Sequence, residues 1–214
     1  MVIDAIKARD EARVRELVAE RPELAEERDE SGVSALMLSH YYGVNADDAL
    51  QAARSTPLDV FEAATVGDVD RLRQLLDDDP TLVRARSSDD GTALHFAAFF
   101  GQPAAAKLLI ERGSAIDAVA STFGNVQPLH SAVAARNRET SLALLAAGAD
   151  PNARQERGFT PIHGAAQNGD AALVEALIAK GADPAATNDE GKSAADFAAE
   201  AGHDELAARL RGTG

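Results

Sequence analysis

The 214-residue chain has no cysteine and no tryptophan, and its seven phenylalanines and two tyrosines amount to 4% of its residues. Without thiols, disulfides and thiolate metal sites are excluded. With so few rings, a core has to be built from Ala, Leu, Val and Ile, which suits closely packed helices. Positive charge is also scarce: 21 Lys and Arg against 35 Asp and Glu leave a net charge of −14. Nucleic acids and anionic membrane surfaces call for a basic face, so neither is expected as a partner. A cationic protein surface is favoured instead. No apolar run approaches a membrane span, and the N-terminal stretch Met1-Val2-Ile3-Asp4-Ala5-Ile6-Lys7 lacks the apolar core of a signal peptide. The expected location is therefore cytoplasmic. The preference for Arg over Lys and the abundance of Ala point to a GC-rich bacterial source.

Catalytic motifs are missing as well. There is no Gly-x-Ser-x-Gly elbow and no Gly-x-x-x-x-Gly-Lys-Ser/Thr phosphate loop. Asp77-Asp78-Asp79 does not meet EF-hand spacing and reads as a helix end running into Pro80. The expectation is a chain with no catalytic residues, no metal and no cofactor.

What the chain does have is a repeated phrase. Thr92-Ala93-Leu94-His95-Phe96-Ala97-Ala98 recurs as Gln127-Pro128-Leu129-His130-Ser131-Ala132 and as Thr160-Pro161-Ile162-His163-Gly164-Ala165-Ala166. A weaker copy starts at Ser193 and puts Asp196 in the His slot, so that slot advances in steps of 35, 33 and 33 residues. A fixed period of this length marks a solenoid. Apolar residues at helical spacing follow each phrase, as in Leu142, Leu144 and Leu145 or Leu173, Leu177 and Ile178. Gly113, Gly148 and Gly181 then stand where a left-handed helix end is needed.

The left third carries no such phrase, yet it repeats. Shifted by 58, residues 5–43 lie over 63–101, with identities such as Ala5/Ala63, Asp10/Asp68, Leu17/Leu75, Pro22/Pro80 and Gly43/Gly101. Met37 is read in the His slot of the second unit and Phe61 in that of the third, a step of only 24, so the second unit is short and has no room for a turn before Pro57.

The phrase Thr-Pro-Leu-His-x-Ala-Ala with a following Gly, Leu-Leu and Gly-Ala-Asp resembles the ankyrin repeat. The resemblance implies an all-α solenoid of two antiparallel helices per unit, with β-turn fingers between units. We expect one array over 1–214 made of about seven helix pairs: a polar cap at 2–30, a short unit at 31–56, units at 57–89, 90–123, 124–157 and 158–190, and a second cap at 191–212. The motif residues Thr92, His95, His130, Thr160 and His163 are expected to be structural, the histidines bridging neighbouring fingers. Stacked units repeat the slot at about 10 Å, too far apart for shared metal ligation at about 2 Å.

The resemblance also implies protein binding, with the positions four and five after the His slot facing a concave groove. These are Tyr41/Tyr42, Thr65/Val66, Phe99/Phe100, Ala134/Ala135, Gln167/Asn168 and Glu200/Ala201. Two adjacent residues on a helix point 100° apart, so at least one ring of each aromatic pair should be exposed. Together with Asp89, Asp90, Phe123 and Phe159 in the fingers, these form the candidate partner-binding set. The short unit should open a gap of roughly 20 Å between the Tyr and Phe pairs, two units apart at about 10 Å each. The expected partner is a protein presenting a basic helix or extended segment to a monomer. Two alternatives remain: a dedicated stabilising or inhibitory subunit of one enzyme, and a small-molecule binder or enzyme.

Overall fold

Each copy of the phrase opens a short helix, and the reason is local. Thr92, Gln127 and Thr160 are extended N-cap residues whose backbone N–H donates back to the His three positions on, while Pro128 and Pro161 supply a preset φ at the first helical position. The second helix is capped by a carboxylate or amide in four units: Asp10, Asp68, Asn137 and Asp170 each accept from the backbone N–H three residues later.

The computed structural model describes residues 1–212. Their helices run as pairs: α1 (Val2–Lys7) with α2 (Glu11–Glu20), α3 (Ala35–Tyr42) with α4 (Asp47–Ala53), and α5 (Val60–Val66) with α6 (Val69–Asp78). Next come α7 (Ala93–Phe99) with α8 (Pro103–Glu111), and α9 (Pro128–Ala134) with α10 (Arg138–Ala146). The last pairs are α11 (Pro161–Gln167) with α12 (Ala171–Ala179), and α13 (Ala194–Glu200) with α14 (Asp204–Arg211). Strand-like pairing is confined, among the described residues, to isolated bridges at the bases of fingers: Arg28 with Ser34, Ala120 with Val126, and Thr187 with Ser193. The architecture is an all-α ankyrin-repeat solenoid.

First helices stack on first helices, α5 to α7 to α9 and α11 to α13, with second helices behind them. The first-helix stack is close because its buried positions are small: Ala63, Ala97, Ala98, Ala132, Ala165 and Ala198 are fully buried. Gly164 shows how close: a Cβ there would meet Val133 Cγ1 at 2.8 Å. Leu72, Leu76, Leu109, Leu144 and Leu177 fill the layer between first and second helices. The 58-residue offset is visible in the elements, since α1, α2 and the 3-10 turn at Pro22–Glu26 recur as α5, α6 and the turn at Pro80–Arg84.

The elements correct the register of the third unit. Its N-cap is Asp59 and its capping box is closed by Glu62, the position that His95 takes in the next unit. The slot is therefore Glu62 and not Phe61, the spacing to His95 is the regular 33, and the short step from Met37 is 25. Phe61 is half-buried and meets Phe96 edge-on, with ring centroids 5.9 Å apart.

Candidate functional site

Three histidines stitch the right-hand fingers together, and their partners fix the tautomer. In His95, Nδ1 accepts from Thr92 N (3.1 Å), so Nε2 carries the proton and donates to Val126 O of the next finger (3.1 Å). His163 repeats this with Thr160 N (3.0 Å) and Ala186 O (3.0 Å), and His130 with Gln127 N (3.3 Å) and Ala153 O (3.1 Å). The Thr92 and Thr160 hydroxyls lie 2.8 and 2.9 Å from the same Nδ1 atoms. Burial holds all three imidazoles below the ordinary histidine pKa, so the neutral ring is the folded form. Among the described residues no group of three or more His, Asp or Glu is arranged to hold a metal ion.

At the short unit no finger follows, and a carboxylate replaces the histidine. Glu62 is fully buried and receives both ends of the Arg54 guanidinium, Nη1 to Oε1 and Nη2 to Oε2, each at 3.0 Å. Glu62 Oε2 also accepts from Asp59 N at 3.1 Å. Arg28 sits 58 residues before Arg86. Arg86 donates to Val119 O of the next finger, whereas Arg28 lies 3.3 Å from Asp59 and 3.7 Å from Glu62. Glu26 closes the joint from the other side. Burial alone would raise its carboxyl, but the Thr56 hydroxyl and amide, Ser55 N–H and Arg54 outweigh that and hold it down at about 2.

The aromatic set divides. The expected 20 Å opening is absent, because the Tyr41 ring lies 5.0 Å from Phe100 and 6.1 Å from Phe99, and Phe100 meets His40 edge-on at 5.3 Å. With the register corrected, the intervening stripe residues are Val66 and Gly67, small enough to let rings from both sides close over them. Tyr42 and Phe100 are half-buried against the core. His40 also packs, its Nε2 2.7 Å from Asp47 Oδ2 but off the axis of a hydrogen bond.

Thr65 is a second correction. It is 0% exposed, since it occupies the small buried slot of Ala98, and Val66 is half-buried. Asp89 and Asp90 are a third, because they lock fingers together instead of standing free. Asp90 accepts from Ser121 N (3.0 Å), Ser121 Oγ (2.7 Å) and Arg86 (2.9 Å), while the Asp89 carbonyl accepts from Thr122 Oγ1. The Asp89 carboxylate faces Ser87 Oγ and the Tyr41 hydroxyl. The reason is the neighbouring finger, two residues longer than the others, which brings Ser121 and Thr122 against them.

What remains open is further along the concave face. Phe99 and Phe123 are each 43% exposed and line one apolar cleft of ≈ 280 Å³ with Tyr41, Phe96 and Val126. A second, more polar cleft of ≈ 470 Å³ continues from it, lined by Glu156, Arg157, Phe159, Gln167 and Asn168. Phe123, His130, Ala134 and Gln155 border both. Phe159 is half-buried, its ring 5.1 Å from Phe197 and 5.9 Å from His163, so it braces the next unit and offers only an edge. Gln155 and Glu156 are additions that sequence reasoning misses. The signal available for them is their place beside the long finger, one period after Thr122 and Phe123.

Comparison with known proteins agrees with this architecture. A family model described as ankyrin repeats (3 copies) matches residues 60–155 and 129–213. Palmitoyltransferase Hip14 of Drosophila melanogaster is 36% identical over 100 residues, 47% of this chain and 15% of that protein. Ankyrin repeat and SAM domain-containing protein 6 of Rattus norvegicus is 31% identical over 102 residues, 48% of this chain and 11% of that protein. The similarity thus spans a small part of each relative and about half of this chain. Among the described residues no helix is long and apolar enough to cross a membrane. By the extent of the repeat match, this chain belongs to the ankyrin-repeat family.

Proposed function

We propose that the protein is a non-catalytic, monomeric binding module of the cytoplasm. It captures a partner protein on the concave face between the 86–91 and 153–159 fingers. The observation that carries this reading is the pair of exposed rings, Phe99 and Phe123, facing one apolar cleft. Exposed aromatic side chains on a rigid concave surface supply large contact area at small entropic cost and are enriched at interface hot spots. The net charge of −14 favours a basic partner surface and steers its approach in a salt-dependent way. Repeat solenoids present extended concave surfaces of this kind.

The test is affinity isolation from the source cells with the wild-type chain and with Phe99→Ala plus Phe123→Ala, read by mass spectrometry. Loss of a hot spot costs about 2 kcal/mol or more, so a protein held by the wild type should fall about tenfold or more in the variant. Equal capture by both chains would place the interface elsewhere.

A further inference from the structure

The two-residue insertion before the fifth unit gives the concave face a divider. The step from His95 to His130 is 35 where the next two are 33, and the lengthened finger carries a 3-10 turn, Ser121–Phe123, with the Phe123 ring exposed. This turn is clamped from both sides. Asp90 accepts from Ser121 N and Oγ on one side, and Glu156 N donates to Gly124 O at 2.7 Å on the other. An exposed ring on a finger tied to both neighbours is a fixed wall, and the apolar and polar clefts meet at it.

The compartments differ in chemistry. The first has the rings of Phe96, Phe99 and Phe123 and the side chain of Val126. In the second, the Arg157 guanidinium is already neutralised by Glu190, while no cation among the described residues pairs with the exposed Glu156 carboxylate. The second compartment therefore carries an unbalanced negative charge.

We propose, resting on the reading of the concave face as the binding surface, that the occupant is an extended segment of a partner protein. It straddles Phe123, with a bulky apolar side chain in the first compartment and a lysine or arginine in the second. Units repeat at about 10 Å, and a polyproline-type chain advances ~3.1 Å per residue with three residues per turn, so two side chains about three residues apart point to the same face at that spacing, whereas a flat strand would turn them to opposite faces. A helix, about 10–12 Å across, would have to ride over the Phe123 ring to reach both compartments.

The experiment selects a displayed library of linear random peptides against the full-length chain. The enriched peptides are then titrated as synthetic peptides against the wild type, Phe99→Ala, Phe123→Ala and Glu156→Gln. Phe99→Leu and Phe123→Leu stand in if an alanine variant melts early. The enriched sequences should share a bulky apolar residue and a Lys or Arg about three positions away. Phe99→Ala should weaken binding about tenfold or more. Replacing the peptide's basic residue by norleucine should cost about threefold against the wild type, in keeping with a partly exposed ion pair, and nothing against Glu156→Gln. A consensus lacking either residue, or a basic preference that survives Glu156→Gln, overturns this assignment and leaves the concave face standing as the interface. Peptides that bind Phe99→Ala and Phe123→Ala as tightly as the wild type place binding elsewhere and overturn both readings. A library that yields no binders overturns the extended segment.

Discussion

The joint after the short unit and the joints of the right-hand fingers meet the same demand with different chemistry. Each first helix must satisfy its N-terminal N–H groups and tie itself to the adjoining unit. In α7, α9 and α11 a neutral histidine does both, with Nδ1 accepting from its own N-cap and Nε2 donating to the next finger. At α5, with no finger before it, Glu62 takes the slot, accepts from the N-cap and holds Arg54 in a buried bidentate pair. The aromatic residues follow the same division. Next to the short unit they close onto one another, as Tyr41 does on Phe100, whereas at the long finger Phe99 and Phe123 stay open. A missing finger is therefore filled by ion pairs and rings, and an extended finger creates surface. On the proposed reading, the binding surface lies next to the insertion and not next to the deletion.

The sharpest way to break this comparison is Arg54→Ala. It leaves a fully buried carboxylate without its bidentate partner and with only Arg28 at 3.7 Å beside it, and removing one member of a buried pair costs about 3–5 kcal/mol. Denaturant unfolding should show that loss. Arg54→Met with Glu62→Leu removes both charges and should recover most of it. If the single variant were as stable as the wild type, the ion pair would not be what closes the joint.

Tyr41→Ala with Phe100→Ala tests the ring cluster. Both rings are half-buried, so the loss should be smaller, about 1–3 kcal/mol, with partner binding by the molecules that still fold weakened less than by Phe123→Ala, since Tyr41 only borders the apolar cleft. A double variant that keeps its stability and loses its partner would move the site back to the short unit.

The histidine joints should answer to pH. Their folded pKa values lie below the ordinary value near 6.5, so the unfolded chain takes up protons first. Their contribution is present above about pH 6.5 and is lost as pH falls through the depressed folded values. Melting temperature measured from pH 7.5 downward should fall in that window, and less steeply for His95→Gln with His163→Gln, which do not titrate there. An equal slope in the variant would assign the acid loss to other groups.

Most of the fold is legible because the phrase recurs in phase and each copy carries its own caps. The third unit reads one residue out of register for a physical reason: its slot holds Glu62, which closes the capping box as His does but does not look like it. Asp59 three residues before Glu62 is the available sign, as is the 58-residue offset, which sets Asp4 over Glu62. That single slip places Thr65 on the groove when it lies in the buried slot of Ala98. The stripe of rings is legible as a stripe. Whether Tyr41 reaches Phe100 depends on Val66 and Gly67 between them, and so on the register. The site's polar half, with Glu156, is hidden because its position is set by the length of a finger in the preceding unit.

The most direct measurement pairs melting temperature with affinity for one selected peptide across Phe123→Ala and Tyr41→Ala. Phe123 is exposed on a clamped finger, and its loss should leave the melting temperature unchanged while weakening binding about tenfold or more. Tyr41 is half-buried against Phe100, and its loss should lower the melting temperature with the smaller effect on binding. The reverse pattern, a destabilised Phe123→Ala that binds normally, would contradict the assignment of the concave face at the long finger as the binding surface.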